Sequence, residues 1–246
     1  MYHDYLKENM EIIDCSDLNT RIYMLNIAGL DPDLKEIETI LPSERYQKMM
    51  SYRNKIDRAR LFGNELLFSE GLSKFYPNLK SCNVVRKTDK NGKPYIVDRD
   101  NIFFNMSHSG DYAVCAFSDS NIGVDIEIIK EPHLDIANRF FRVEEFDEIK
   151  ELSSPDQATR FYEYWVLKES FVKSVGLGLQ IPFNEFKFCN YGDDLLEVKH
   201  QVNDKGYLAR VLKNISVDYK LAICKELKVG LLNHTSIANH VIEGLD

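Results

Sequence analysis

The run Phe103-Phe104-Asn105-Met106-Ser107-His108-Ser109-Gly110-Asp111-Tyr112 continues through Ala113 to Phe117 and then into Gly123-Val124-Asp125-Ile126-Glu127. In its last piece apolar residues alternate with acids. A strand period of 2 therefore places Asp125 and Glu127 on one face, and Val124, Ile126 and Ile128 on the other. Further strand-like runs lie at 21–28 and 84–97, and later at 186–189, 195–201, 207–212 and 219–224. Helical stretches stand in groups among them instead of alternating one for one with strands. That grouping predicts an α+β fold with antiparallel pairing, not a doubly wound parallel sheet.

A faint repeat relates the two halves. Leu41-Pro42-Ser43-Glu44-Arg45-Tyr46 opens one helical stretch, and a second helix follows through Leu61, Phe62, Leu66 and Leu67 to Gly71. In the second half Phe141-Arg142-Val143-Glu144-Glu145-Phe146 opens a similar stretch, and a long helix follows from Gln157 to about Val175. Pro155 and Asp156 precede that helix and Gly176 follows it, a start and a stop of the usual kinds. From Lys225 onward a final helix and a loose tail both fit.

Composition bounds the function. With 246 residues, 44% hydrophobic and 28% charged, the chain has enough apolar material for a substantial core. A formal charge of −8 excludes a protein that coats nucleic acid, so any polyanionic ligand must be held locally. The longest uninterrupted apolar stretch, Tyr112 to Phe117, is far short of the roughly 20 residues of a membrane helix. The start of the chain lacks the basic end and apolar core of a secretion signal. Cys15, Cys82, Cys115, Cys189 and Cys224 form no C-x-x-C pair and are odd in number, which suits a reducing cytoplasm.

Within the long helix, Trp165, Glu169 and Lys173 fall in one row at i, i+4, i+8. A surface Glu–Lys pair there is worth only about 0.3–0.5 kcal/mol. Phe161, Trp165 and Val172 nevertheless make this side too apolar for a fully solvated face, which sets Glu169 and Lys173 at a core boundary. A D-x-E triplet alone is common on surface strands. Together with Glu169, however, Asp125 and Glu127 supply hard oxygen ligands for Mg²⁺, which takes one or two carboxylates plus waters and substrate phosphates. Basic residues suited to phosphate crowd two places: Arg86, Lys87, Lys90 and Lys93 around Asn91-Gly92-Lys93-Pro94, and Arg45, Lys48, Arg53, Lys55, Arg58 and Arg60 in one short region. Ser107 and His108 are strand neighbours facing opposite ways, and no G-x-S-x-G elbow is present, so anion binding suits them better than a nucleophilic dyad. No P-loop, G-x-G-x-x-G or H-E-x-x-H occurs.

Four blocks in this order resemble Sfp-type 4′-phosphopantetheinyl transferases: Gly92-Lys93-Pro94, Phe104 to Gly110, Gly123 to Glu127, and Trp165 to Lys173. The resemblance extends loosely from Ile22 to Cys224. It implies transfer of the phosphopantetheine arm of coenzyme A to a serine of an acyl or peptidyl carrier protein, with release of adenosine 3′,5′-bisphosphate. It also implies a pseudo-dimer of two similar subdomains, 1–120 and 121–246, each with a small antiparallel sheet packed against helices, acting as a monomer. Asp125, Glu127 and Glu169 then become Mg²⁺ ligands. Ser107, His108 and Lys93 become contacts to the nucleotide part of coenzyme A, Arg45 and Lys48 fall where the family places basic residues, and Arg60 matches a further nucleotide contact. Glu169 is the implied base on the carrier serine, and Lys173 the stabiliser or proton donor for the leaving phosphate. The competing expectation is a Mg²⁺-dependent phosphodiesterase using the same carboxylates with water as nucleophile.

Overall fold

Two antiparallel sheets carry the chain, which a computed structural model describes over residues 2–79, 84–213 and 215–228. Helix α1 (Tyr2–Asn9) leads into the hairpin of β1 (Met10–Cys15) and β2 (Thr20–Asn26). Three helices follow, α2 (Ile37–Ile40), α3 (Ser43–Ser51) and α4 (Lys55–Phe75). The run expected as one strand at 84–97 is instead two short strands, β3 (Arg86–Thr88) and β4 (Pro94–Ile96), because Gly92 at φ +87° turns the chain between them. A second hairpin, β5 (Phe103–Ser109) and β6 (Tyr112–Ser118), completes the first sheet in the order β1-β2-β6-β5.

The second sheet opens at β7 (Ile122–Ile128), with three residues between it and the end of β6. Again three helices follow, α5 (Leu134–Phe140), α6 (Val143–Glu151) and α7 (Ser154–Val175). Strands β8 (Lys187–Gly192), β9 (Leu195–Lys199), β10 (Tyr207–Val211) and β11 (Tyr219–Glu226) then pair in the order β7-β11-β10-β9-β8. The faint sequence repeat thus corresponds to two runs of three helices, each ending in a long one. Helix α7 starts three residues earlier than its apolar pattern indicated, since Pro155 sits inside its first turn, where a missing N–H costs nothing. Strand β11 runs on through Glu226, and the rest of the expected tail, 229–246, lies outside the described residues, as does Cys82.

Three apolar clusters hold these layers. Phe62, Leu67 and Phe68 of α4 pack against Tyr23, Leu25, Cys115 and Phe117 on the outer face of the first sheet. Val166, Phe171 and Val172 of α7 pack against Ala209, Ala222 and Cys224 on the outer face of the second. Between the sheets, Ile22, Met24, Val114 and Ala116 meet Val124, Ile126, Leu221 and Ile223. The alternation in β7 is thereby explained: Val124 and Ile126 are drawn into the inter-sheet core, which turns Asp125 and Glu127 toward α7.

Candidate active site

The carboxylate-bearing face of β7 lies against α7 at very short range. A Cβ on Gly123 would fall 1.9 Å from the Ser170 carbonyl and 2.5 Å from the Ser174 nitrogen, so only glycine lets the helix sit this close. From that helix Lys173 projects back over β7. Its Nζ donates to Asp125 Oδ1 at 2.6 Å, to Ser107 Oγ at 3.0 Å and to the Val124 carbonyl at 3.4 Å. Asp125 is 2% exposed, and its second oxygen, Oδ2, is buried without a hydrogen-bond partner.

Strand β7 is the edge of its sheet, and β5 is the edge of the other. The two edges meet through side chains. Asn105 Oδ1 accepts from the Val124 N–H at 3.0 Å, Ser107 Oγ donates to Asp125 Oδ1 at 2.9 Å, and Ser109 Oγ donates to Glu127 Oε2 at 2.6 Å while accepting from the Ile128 N–H at 3.2 Å. Residues 105, 107 and 109 stand at period 2 on one face of β5, the same rule that put Asp125 and Glu127 together. The alternation was legible in the sequence for Asn105 and Ser109, but nothing in the sequence said that this face meets β7.

Glu169, one turn before Lys173, shares the field of the other two acids. Burial raises its pKa first, and the charges of Asp125 and Glu127 push in the same direction against Lys173. Burial also raises the pKa of Glu127, with Asp125 adding to it and the Ser109 hydroxyl opposing. Like charges held together in a partly dry site are unstable without a cation. Among the described residues no group of three or more acidic, histidine or cysteine side chains is arranged to hold a metal ion by itself. A divalent cation such as Mg²⁺ needs only one or two carboxylates when phosphates and water complete its shell. The orphaned Asp125 Oδ2 and the raised pKa values of Glu127 and Glu169 therefore fit such an ion.

The remaining expected site residues divide. Lys93 has a half-buried stem and an enclosed ammonium that donates to the Ser174 carbonyl at 2.6 Å, and burial pulls its pKa down to about 8. It joins the β3–β4 turn to the end of α7, as does Asn91, whose amide donates to the Gly176 carbonyl at 3.0 Å. His108 faces away from Ser107 and is exposed. Partial burial of the ring, then the Arg60 and Lys173 charges, hold its pKa below the ordinary histidine value. Arg60 grips the Gly110 carbonyl at 3.2 Å and Asp57 at 3.2 Å, just behind His108. Arg45 is paired with buried Glu65 at 2.6 Å, a residue that Arg86 also engages. Lys48 is exposed on α3. The structure thus brings Asp125, Glu127, Glu169, Lys173 and Ser107 into one cluster and sets Arg45 and Lys48 apart on the helices of the first half.

A cavity of about 240 Å³ opens between the β3–β4 turn and α7, lined by Asn91, Lys93, Pro94, Met106, Glu169 and Lys173. A larger hollow of about 760 Å³ lies among Glu163, Leu195, Val211, Lys213 and Tyr219, and includes none of the three clustered acids. The smaller cavity is the one with chemistry in its wall. A residue absent from the sequence-level expectations is enclosed in the same helix: Lys168, fully buried, pairs with Glu145 at 2.8 Å and donates to the Phe183 carbonyl at 2.8 Å.

A family model described as the 4′-phosphopantetheinyl transferase superfamily matches residues 121–224. Similar curated proteins span most of the chain. The 4′-phosphopantetheinyl transferase Sfp of Bacillus subtilis (strain 168) is 32% identical over 205 residues, covering 82% of this chain and 89% of that one. The 4′-phosphopantetheinyl transferase gsp of Aneurinibacillus migulanus is 37% identical over 143 residues, covering 58% of this chain and 59% of that one. Among solved structures, a holo-(acyl-carrier-protein) synthase from Bacillus anthracis covers 44% of this chain and 96% of its own, at 16% identity and a TM-score of 0.36.

Proposed function

Because the chain belongs to the 4′-phosphopantetheinyl transferase superfamily, we propose that it moves the 4′-phosphopantetheine arm of coenzyme A onto a serine hydroxyl of an apo acyl or peptidyl carrier protein, releasing adenosine 3′,5′-bisphosphate. The observation that carries this reading is the clustering of Asp125 and Glu127 with Glu169 and Lys173, the last two lining a cavity, in a chain whose relatives are named as transferases. Those names favour transfer over hydrolysis by a phosphodiesterase.

Mg²⁺ would be held by Asp125, Glu127 and Glu169. When bound, it would neutralise pyrophosphate charge as the carrier serine attacks the phosphorus that stays with the arm. The chain's own residues do the rest. Glu169, whose pKa burial and neighbouring acids raise, is the proposed acceptor of the serine proton, directly or through water. Lys173, anchored by Asp125 and Ser107, supplies positive charge for the departing phosphate. His108, exposed on the opposite face of β5 from Ser107, and Lys93, in the cavity wall, are the proposed nucleotide contacts, together with Ser107 itself. Arg45, Lys48 and Arg60 form a basic approach from the first half.

Residues 1–120 and 121–246 act as two subdomains whose shared seam completes the site within one chain, so a monomer suffices. None of the described helices is long and apolar enough to cross a membrane; the proposed site of action is the cytoplasm. Intact-mass spectrometry of apo carrier proteins with the enzyme, coenzyme A and Mg²⁺ tests the reading. The expected result is an EDTA-sensitive gain of one phosphopantetheine. Cleavage of coenzyme A with the carrier unchanged would select the hydrolytic alternative.

A further inference from the structure

The seam between β5 and β7 contains one hydroxyl whose hydrogen-bond direction is fixed by its surroundings. Ser109 Oγ receives the Ile128 N–H at 3.2 Å and lies 2.6 Å from Glu127 Oε2. A backbone N–H can only donate, so the single hydroxyl proton of Ser109 must point at the carboxylate. Among the described residues no donor reaches the other Glu127 oxygen, Oε1. One oxygen of Glu127 is thus pinned from the first half of the chain, and the other is left free on the face it shares with the unpartnered Asp125 Oδ2.

We infer that Ser109 is a positioning residue for Glu127, holding one carboxylate oxygen so that the other is presented to the divalent cation; this rests on the proposed role of Glu127 as a ligand. Ser109 is itself 9% exposed, so water cannot readily replace it as donor. It is also covalently next to His108, which faces outward on the same strand. Strand β5 therefore carries a nucleotide-side residue on one face and the anchor of a carboxylate on the other. Asn105 provides the contrast. It makes the same kind of cross-edge bond, but to the Val124 N–H, and among the described hydrogen bonds none joins it to an acid.

The test is Mn²⁺ binding to the full chain in the presence of coenzyme A, followed by electron paramagnetic resonance, with thermal unfolding measured alongside. Ser109→Ala is expected to weaken Mn²⁺ binding by about tenfold or more, the usual scale for removing an outer partner of a metal ligand. Ser109→Thr, which keeps the hydroxyl, should restore it. Asn105→Ala should lower the unfolding midpoint and leave Mn²⁺ affinity as in the wild type. Unchanged Mn²⁺ affinity in Ser109→Ala, with Glu127→Gln impaired, overturns the inference alone. So does an equal loss in Asn105→Ala, which would make the seam's general stability the cause. Normal Mn²⁺ binding by Glu127→Gln, or none by the wild type, overturns the ligand assignment and the inference together.

Discussion

Lys173 Nζ stands 2.6 Å from Asp125 Oδ1, closing the gap between α7 and β7 with a charge-assisted hydrogen bond in which the acid is almost fully buried. Lys173→Met leaves that buried carboxylate without its cation. The expected cost is about 2 kcal/mol, below the range for a fully buried pair because the lysine side chain is 28% exposed. Asp125→Asn combined with Lys173→Met should cost less than the sum of the two single changes. Urea unfolding of the four proteins in EDTA measures the coupling. Turnover of Lys173→Met should fall by roughly a hundredfold or more, the scale for losing a positioned proton-transfer group.

Lys93 gives the protein a pH dependence of known sign. Burial lowers its pKa from 10.5 to about 8, so between these values the unfolded chain binds more protons than the folded one. Its contribution to stability is complete above the unfolded pKa and is lost as pH falls through about 8. Wild type compared with Lys93→Met should therefore show a stability difference that shifts in favour of the wild type from pH 8 to pH 10. A constant difference across that range, read by urea midpoints, would mean that the ammonium is hydrated in the folded state.

Lys168 and Glu145 form a pair that is dearer to break than to replace. Lys168 is fully buried and its ammonium also sits 4.8 Å from the Phe186 ring centre. Lys168→Met alone should destabilise by about 3–5 kcal/mol, because Glu145 is left buried and uncompensated. Adding Glu145→Gln should recover part of that loss, as judged by the thermal midpoint of each variant.

Gly123→Ala forces a methyl group into the Ser170 carbonyl. Backbone cannot yield as a side-chain tip does, so α7 must move off β7. The expected penalty is about 3 kcal/mol, with activity falling further than stability alone explains, since Glu169 and Lys173 ride on the displaced helix. Denaturant unfolding and carrier loading at a temperature where the variant remains folded separate the two effects.

Much of this arrangement was legible in the sequence, because period 2 in β7 and period 3.6 in α7 are local rules. Asp125, Glu127, Glu169 and Lys173 were found that way, as were the α+β class and the Gly176 stop. What could not be read locally were distances across the chain. Ser109 and Asn105 carry the right alternation, but their meeting with β7 depends on two sheet edges coming together. Lys168 lay inside a segment already singled out, yet only the packing of Phe141, Phe183 and Phe186 around it shows that it is enclosed while its neighbour Glu169 reaches the cavity. Strand β1 was missed because its burial pattern lacks clean alternation, with only Cys15 fully covered.

An edge strand with unspent N–H groups is a template on which other chains add strands, and edge-to-edge growth is a route to aggregation. Asn105 and Ser109 take the Val124 and Ile128 donors with single side chains, so two of the N–H groups on the β7 edge are satisfied without a further strand joining the sheet. The two sheet edges thus shield each other from a foreign β-strand without merging into one sheet.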